Sequence, residues 1–252
     1  MGVWDAYKSR LDARGSTKRE VVLNREQNYL LRKLPNNLSY HSVSINGTQQ
    51  DVAITNSDNL FQKTIYSLPG ESILGGSTVF WCDYYWLVTS VDANNEIYTK
   101  AIIQQCNHLL KWIADDGSIV ERWCIVSDGT KYLTGETMSS YNENGLVLGD
   151  TRIAVLLARD SYSVKLNRDC RFLIDDPDSD SVLAYRLTKP FKIGGVYGGN
   201  GVVSFVMTEV NTEDDDNFEL RIADYYKHFP KNEGVTSPPP AQTDNNGKRV
   251  WF

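Results

Sequence analysis

The chain has 252 residues, of which 41% are hydrophobic and 11% aromatic, enough for one large β domain or two smaller ones. Its longest apolar runs, such as residues 153–158, are far shorter than the roughly 20 residues that a membrane-spanning helix needs, and the N-terminus lacks the basic-then-apolar order of a signal peptide. We therefore expect a protein that is made and kept in a cytosol, without a membrane partner.

The net charge of −6 is distributed unevenly. Residues 1–34 carry eight Lys and Arg against four Asp and Glu, a net +4, whereas the rest carries 18 against 28, a net −10. A general nucleic-acid-binding protein would present a basic face over its body, which this chain does not have. The pattern suits a basic arm that docks on an acidic neighbour, and it equally suits a solvated surface helix.

Residues 1–38 are predicted to form an N-terminal helical arm. One stripe at helical spacing contains Val3, Trp4, Tyr7 and Leu11, and Gly15 can end that first helix. The second helix begins at Ser16 or Thr17, with Glu20 as the reciprocal capping partner, and Pro35 stops it. Its apolar stripe contains residues 21–23 and 29–31. The apolar stripes of the two helices serve either as a core face or as a docking face.

Residues 39–145 change to period-two patterning and predict a small β-barrel-like connector domain. Asn46-Gly47, Asp83 and Asp115–Gly117 mark turns between short apolar runs. Short strands at roughly 8–12-residue spacing with turns between them indicate a barrel or a sandwich. The predicted strands contain Val43–Ile45, Val52–Ile54, Val79–Cys82, Tyr84–Val88, Ile97–Ile103, Leu109–Ile113 and Ile119–Ile125.

Polar residues 134–144 separate this barrel from a second β region. Residues 146–230 predict a small immunoglobulin-like β-sandwich domain, although the Cys–Trp–Cys pattern of antibody domains is absent, so that only the architecture is inferred. Its predicted strands are Arg152–Ala158, Phe172–Ile174, Val182–Leu187, Val202–Val206 and Phe218–Ile222.

Residues 231–252 predict an extended tail that contains Pro238–Pro240. The tail ends on Lys248-Arg249-Val250-Trp251-Phe252, a basic stretch followed by two aromatic residues. Two large aromatic side chains gain most when they are buried in a groove, so we expect these last residues to contact a different chain.

No motif in the sequence carries recognisable chemistry. The glycine-rich run Gly194–Gly201 lacks the Lys-Ser/Thr of a phosphate-binding loop and leads into a strand, so it is predicted to be a β-turn or an exposed loop. Asp176–Asp180 begins like a calcium loop but lacks its later ligands, which leaves a solvated acidic turn as the main interpretation there and at Asp214–Asp216. No metal spacing joins the histidines or the four cysteines, whose thiols are predicted to be buried and reduced. We therefore predict no catalytic residue, no cofactor and no metal site.

Several short sequence segments resemble those of structural proteins of tailed phages that infect Gram-positive bacteria, in particular the head-closure or head–tail connector (neck) family. The resemblance extends from Trp4 to about Pro230 and is carried by the segments Trp86–Asp92, Tyr98–Asn107, Leu110–Trp112, Arg171–Pro177, Leu187–Lys192 and Ile222–His228. It implies a virion protein, assembled in the host cytoplasm, that is not an enzyme. It also implies that copies of the protein form a ring that joins the portal and capsid to the tail and helps to retain packaged DNA.

The resemblance also implies the partners: a portal or adaptor protein above the ring, a tail protein below it, and genomic DNA in the channel without sequence-specific contact. An acidic wall suits such a channel, because a basic wall would bind the phosphates. The alternatives are a tail or baseplate protein with a sugar-binding immunoglobulin-like domain and a capsid decoration protein. A cell-wall hydrolase is the weakest alternative, because no catalytic motif supports it.

Overall fold

The computed structural model describes residues 2–12, 15, 17–92, 94–128, 152–175, 182–193 and 195–230. The fold is mainly β, as predicted, with two helices, α1 (Val3–Asp12) and α2 (Lys18–Lys33), ahead of two antiparallel sheets. The predicted linker 134–144, the acidic loop Asp176–Asp180 and the tail 231–252 lie outside the described residues. None of the helices in the described ranges is long and apolar enough to span a bilayer.

The second helix begins where the sequence predicts. The hydroxyl of Thr17 accepts a hydrogen bond from the backbone N–H of Glu20 at 3.2 Å, and the Glu20 carboxylate accepts one from the N–H of Thr17 at 3.3 Å. This reciprocal pair satisfies two N–H groups that the first helical turn leaves without partners. The helix runs into a short 3₁₀ turn, Leu34–Asn36, that contains Pro35.

The first sheet closes into a six-stranded barrel. Its order is β1-β2-β3-β6-β5-β4, and β1 pairs back onto β4 through Ser44↔Phe80 and Ile45↔Val79. A closed barrel leaves no free sheet edge. The strands are β1 (Tyr40–Ile45), β2 (Thr48–Asn56), β3 (Gln62–Ser67), β4 (Thr78–Trp81), β5 (Tyr84–Asp92) and β6 (Lys100–Gln105).

Tight hairpins set the register of this barrel. Asn46 and Gly47 join β1 to β2 with φ of 50° and 84°, and Cys82 and Asp83 join β4 to β5 with φ of 50° and 65°. Two consecutive positive φ angles are characteristic of a type I′ hairpin turn, whose twist matches that of the strands. Both turns were predicted, whereas β3 was not.

The second sheet curls on itself into a nearly closed barrel, called the second barrel below. Its order is β10-β11-β13-β9-β8-β7, with the short β12 paired only to β13, and its edge strands β7 and β10 face each other. There the rings of Trp112 and Phe172 meet edge-to-face at 6.2 Å. The strands are β7 (His108–Ile113), β8 (Ile119–Asp128), β9 (Arg152–Ala158), β10 (Arg171–Asp175), β11 (Val182–Phe191), β12 (Val196–Tyr197) and β13 (Asn200–Val210).

The sheet pairing divides the chain earlier than the predicted boundary at residue 145. Strands β7 and β8, which were assigned to the first domain, hydrogen-bond into the second sheet, where β8 pairs with β9 from Cys124↔Leu157 to Asp128↔Ile153. The two sheets therefore separate between Gln105 and His108. The immunoglobulin-like sandwich, which needs two facing sheets, is not confirmed by this topology.

The chain after β13 is not the predicted strand. Within 218–222 only an isolated bridge forms, between Asn217 and Ile222, before a four-residue helix, α3 (Tyr225–His228). Arg221 and Asp224 have left-handed φ angles of 59° and 56°, which interrupt extended backbone. Residues 211–230, here named the C-terminal strap, instead cross one end of the second barrel.

The cysteine prediction holds only in part. All four thiols are free, but only Cys106 and Cys124 are buried, Cys170 is half-buried and Cys82 is exposed. Cys82 is exposed because it lies in the turn of the β4–β5 hairpin. The apolar residues on either side of this turn lie in the two strands.

Candidate interaction surfaces

The two barrels are joined by a small apolar interface. Leu87 and Cys106 from the first half pack against Ile125 and Val202 from the second, and all four are buried. At the edge of this cluster the rings of Tyr85 and Trp123 stack at 4.8 Å. Buried apolar area of this kind fixes the relative placement of the barrels more firmly than a flexible linker would.

The glycine-rich run has a structural role at the same joint. Gly76, with φ of 78°, lies so close to Gly201 that a Cβ on Gly76 would overlap the Gly201 carbonyl oxygen. Gly198 and Gly199 form the two-residue turn between β12 and β13, with φ of 59° and 86°. The described part of the run is thus a hairpin turn, as predicted, and its last glycine lets two backbones approach closely.

Polar groups add to the joint. The Asn107 side-chain amide donates to the Val126 carbonyl at 2.8 Å and accepts from the Val126 N–H at 2.8 Å. Arg122 and Asp160, which line the same cleft as Gly76, form an ion pair at 2.6 Å within the second half, and Arg122 lies over the ring of Tyr162. At the crossover between the sheets, Asn107 thereby gives Val126 of β8 the two hydrogen bonds that a residue of a neighbouring strand would supply.

A buried arginine holds the C-terminal strap. The Arg171 guanidinium, whose side chain is 4% exposed, makes a two-pronged contact with Asp216 at 2.9 and 2.8 Å. It also donates to the Asp224 carboxylate at 2.9 Å and to the Asn211 carbonyl at 3.1 Å. Because β10 supplies the arginine and the strap supplies every one of these acceptors, the contact closes the strap over the end of the second barrel.

The electrostatics of this cluster favour its ionised form. Burial by itself would raise the pKa of Asp216, but hydrogen bonds from Arg171 and from the N–H groups of Glu213 and Asp224 lower it below its ordinary value. The same pairing, working against burial, raises the pKa of Arg171. The cluster is therefore a charged structural clamp at neutral pH.

A pocket of about 230 Å³ lies beside the clamp. Trp112, Tyr162 and Phe172 contribute aromatic walls, and His228 lies at the strap side. The Nε–H of Arg171 is buried there without a hydrogen-bond partner in the structure. Because carboxylates already balance the guanidinium, the pocket suits a neutral hydrogen-bond acceptor such as water or a carbonyl group better than an anion.

The strap and the end of β13 present an acidic surface. The segment Glu209–Leu220, here named the acidic segment, contains six Asp and Glu and no Lys or Arg. Phe218 and Leu220 in the same segment are 42% and 41% exposed. Contiguous exposed apolar patches rimmed by polar residues mark interaction sites, and the closely spaced Phe218 and Leu220 make this charged segment a candidate for one.

The N-terminal helices combine exposed apolar side chains with a net positive charge, which is +4 over residues 1–34. None of the 16 residues of α2 is buried, and Val22 and Tyr29 are 50% and 56% exposed. On α1, Trp4 and Tyr7 are 74% and 54% exposed. Val22 and Tyr29 of α2 therefore do not form a core face, and the docking face is the interpretation that remains for them.

The histidines do not come together. His41 packs against Trp81, His108 lies in β7, and His228 lies at the pocket. Among the residues that the structure describes, no group of three or more His, Cys, Asp or Glu side chains could hold a metal ion. Burial raises the pKa of the Cys106 thiol to about 12 and also raises that of Cys124, so both thiols are protonated at neutral pH.

One comparison with known proteins gives a match. Residues 16–105 match the family model described as the YomX N-terminal domain, which is a phage-associated family. The matched range covers α2 and ends at the last residue of β6, so it coincides with the second helix and the complete first barrel. No curated protein and no solved structure matches the chain significantly. The family match supports a phage protein.

The clamp and the acidic segment were not found from the sequence. Arg171 precedes an ordinary apolar run, and Asp214–Asp216 read as a solvated acidic turn. The one signal in the sequence was that an arginine directly precedes the predicted strand Phe172–Ile174, and arginine side chains are mostly exposed. What pairs Arg171 with Asp216, 45 residues later, is the path of the strap.

Proposed function

We propose that this chain is a structural, non-catalytic virion protein of a tailed phage, and that it forms a ring in the neck between the portal and the tail. The observation that carries the proposal is the coincidence of the phage-associated family match with one complete structural unit, α2 and the closed barrel. The assignment to the neck depends on the resemblance of short sequence segments along the chain to head-closure proteins.

The architecture supports an assembly role. Two barrels packed through a buried interface form a stiff body, and an exposed helical arm and an acidic segment remain for contacts with other chains. Rings of identical subunits use heterologous contacts, in which one patch meets a different patch on the next copy. In the proposed assembly the ring adjoins a portal or adaptor protein and a tail protein, and DNA passes through it without sequence-specific contact.

The experiment is a comparison of phage particles made with and without this protein. We expect particles that lack it to accumulate as separate heads and tails, and purified protein added back to restore joined particles. Reconstruction of the intact particle should place the two barrels in a single ring below the portal. Normal head–tail joints without the protein would contradict the proposal.

A tail, baseplate or capsid-surface position is the alternative. It predicts an exposed aromatic platform in residues 151–230 for a host-surface ligand. At the pocket of the second barrel Phe172 is fully buried and Trp112, which comes from β7, is 6% exposed, so these rings are packed into the core. The exposed aromatic residues that such a platform could use are Phe191, Phe218 and Phe229, which are 51%, 42% and 40% exposed. Density for the chain at the tail tip or on the capsid faces would favour this alternative over the neck.

A further inference from the structure

We infer that the N-terminal helices of one copy dock on the acidic segment Glu209–Leu220 of the neighbouring copy. The inference rests on the proposed function, in that it supplies the contact through which copies would assemble. Both surfaces are exposed in the single chain, both contain large apolar side chains, and they carry opposite charge.

The arm has the features of an unpartnered amphipathic surface. Val22 and Tyr29 are seven positions apart on α2 and therefore share one face, with Arg25 between them at helical spacing. The helix contacts its own barrel elsewhere, where Arg19 and Gln27 bind Glu96. Residues 1–34 as a whole have a net charge of +4.

The acidic segment has the complementary features. Of its six acidic residues, Asp216 is buried and balanced by Arg171, and the other five lie outside that buried pair. Phe218, Glu219 and Leu220 form a consecutive exposed run. Asp216 is engaged in the clamp with Arg171, and Glu213 pairs with Lys227, so the segment is held in place from within its own chain. A held segment loses less conformational entropy on binding than a free one.

The occupant is a second copy of this chain because the two surfaces match each other in charge and in apolar character. The arm is attached to the first barrel, and the acidic segment is clamped to the second. A contact between two different patches is heterologous, and its repetition produces a closed ring when the rotation between copies closes. This gives the proposed ring a defined contact.

The test is disulfide trapping between two full-length chains that each carry one accessible cysteine. Both start from a chain with Cys82→Ser and Cys170→Ser, since Cys106 and Cys124 are buried. One then carries Tyr29→Cys and the other Phe218→Cys. When the two are mixed at high concentration and low salt and oxidised, we expect a heterodimer joined through positions 29 and 218, identified by peptide mass. The matched control pairs Tyr29→Cys with Ile119→Cys, which is also exposed and apolar but lies outside the acidic segment.

Charge exchange gives the second measurement. In the chain that carries Tyr29→Cys, the further changes Arg25→Glu and Arg32→Glu should lower the heterodimer yield roughly three- to tenfold, as expected for the loss of two exposed ion pairs. Adding Asp214→Lys and Glu219→Lys to the chain that carries Phe218→Cys should then restore the yield, because the two surfaces again have opposite charge. A yield equal to that of the Ile119→Cys control, or no effect of either charge exchange, would overturn the inference.

The two proposals fail separately. A neck ring in the intact particle without trapping between positions 29 and 218 would overturn the arm contact and leave the proposed function standing. Efficient trapping by a protein that the reconstruction places at the tail tip or on the capsid faces would overturn the neck assignment and leave the contact standing.

Discussion

The two barrels of this protein are closed by different means. In the first barrel, backbone hydrogen bonds between β1 and β4 complete the ring of strands. In the second, β7 and β10 meet through side chains, and the strap is clamped over the open end by Arg171 and Asp216. Closure of the first barrel thus depends on strand pairing within 66 consecutive residues (Tyr40–Gln105), whereas closure of the second depends on a charged contact to residues that follow the sheet.

The difference indicates which half tolerates perturbation. A closed ladder distributes its stability over many backbone hydrogen bonds, but a buried ion pair concentrates it in a few groups. The family match has the same boundary between the two barrels, because it covers the first barrel and stops at the end of its last strand. The second barrel should therefore open first under stress.

The largest effect is expected from Arg171→Met. Removal of the guanidinium leaves the buried Asp216 carboxylate without its main partner, which costs on the order of 3–5 kcal/mol. Hydrogen exchange should show loss of protection in β10, β11 and the strap while β1–β6 stay protected. The matched control is Arg186→Met, the same change at the exposed residue opposite Arg171 on β11, which should alter stability little. Equal loss of protection in both barrels would contradict the asymmetry.

The joint between the barrels is tested by Gly76→Ala. The new methyl group would overlap the Gly201 carbonyl, and the residue would also have to keep a positive φ, for a combined cost of roughly 2–4 kcal/mol. Calorimetry should then resolve separate transitions for the two barrels. Gly117→Ala is the control, because its φ is 80° but nothing lies within 4 Å of the added Cβ, so that only about 1 kcal/mol is lost. Similar losses in the two variants would show that the close approach is unimportant.

Acid should open the second barrel before the first. The pKa of Asp216 is lowered in the folded protein from an ordinary value of 3.8, so its contribution to stability is complete above about pH 4 and is lost as the pH falls through the lower folded-state pKa. Hydrogen exchange at decreasing pH should show early loss of protection in the strap. Asp216→Asn should be less stable at pH 7 and should lose this part of the pH dependence; an unchanged pH profile would exclude Asp216 as the sensitive group.

The smallest effect is expected at the helix cap. Thr17→Ala removes the hydroxyl that accepts from the Glu20 N–H, which should destabilise α2 by about 1 kcal/mol. Because α2 buries no residue, the melting temperature of the barrels should stay nearly constant while exchange of the α2 amides accelerates. Thr17→Ser keeps the acceptor and should behave like the unmodified chain. A large fall in the melting temperature would show that the arm is part of the folded core.

The local elements could be predicted because their causes are local. The Thr17–Glu20 cap, the Asn46-Gly47 turn and the alternating apolar runs each depend on residues a few positions apart, so the helices and most strands followed from the sequence. Strand β3 was missed because only Ile65 and Ser67 are buried in it, which is too short a pattern to separate from a loop.

Tertiary structure alone decided how these elements combine. Alternating runs do not encode their partners, so the pairing of β8 with β9 and the division between Gln105 and His108 could not be inferred from spacing. The contact of Arg171 with Asp216 spans 45 residues and exists because the strap folds back across the barrel end. The exposure of the α2 stripe was likewise undecided, since an apolar helical face has the same pattern whether it lies against a core or awaits a partner.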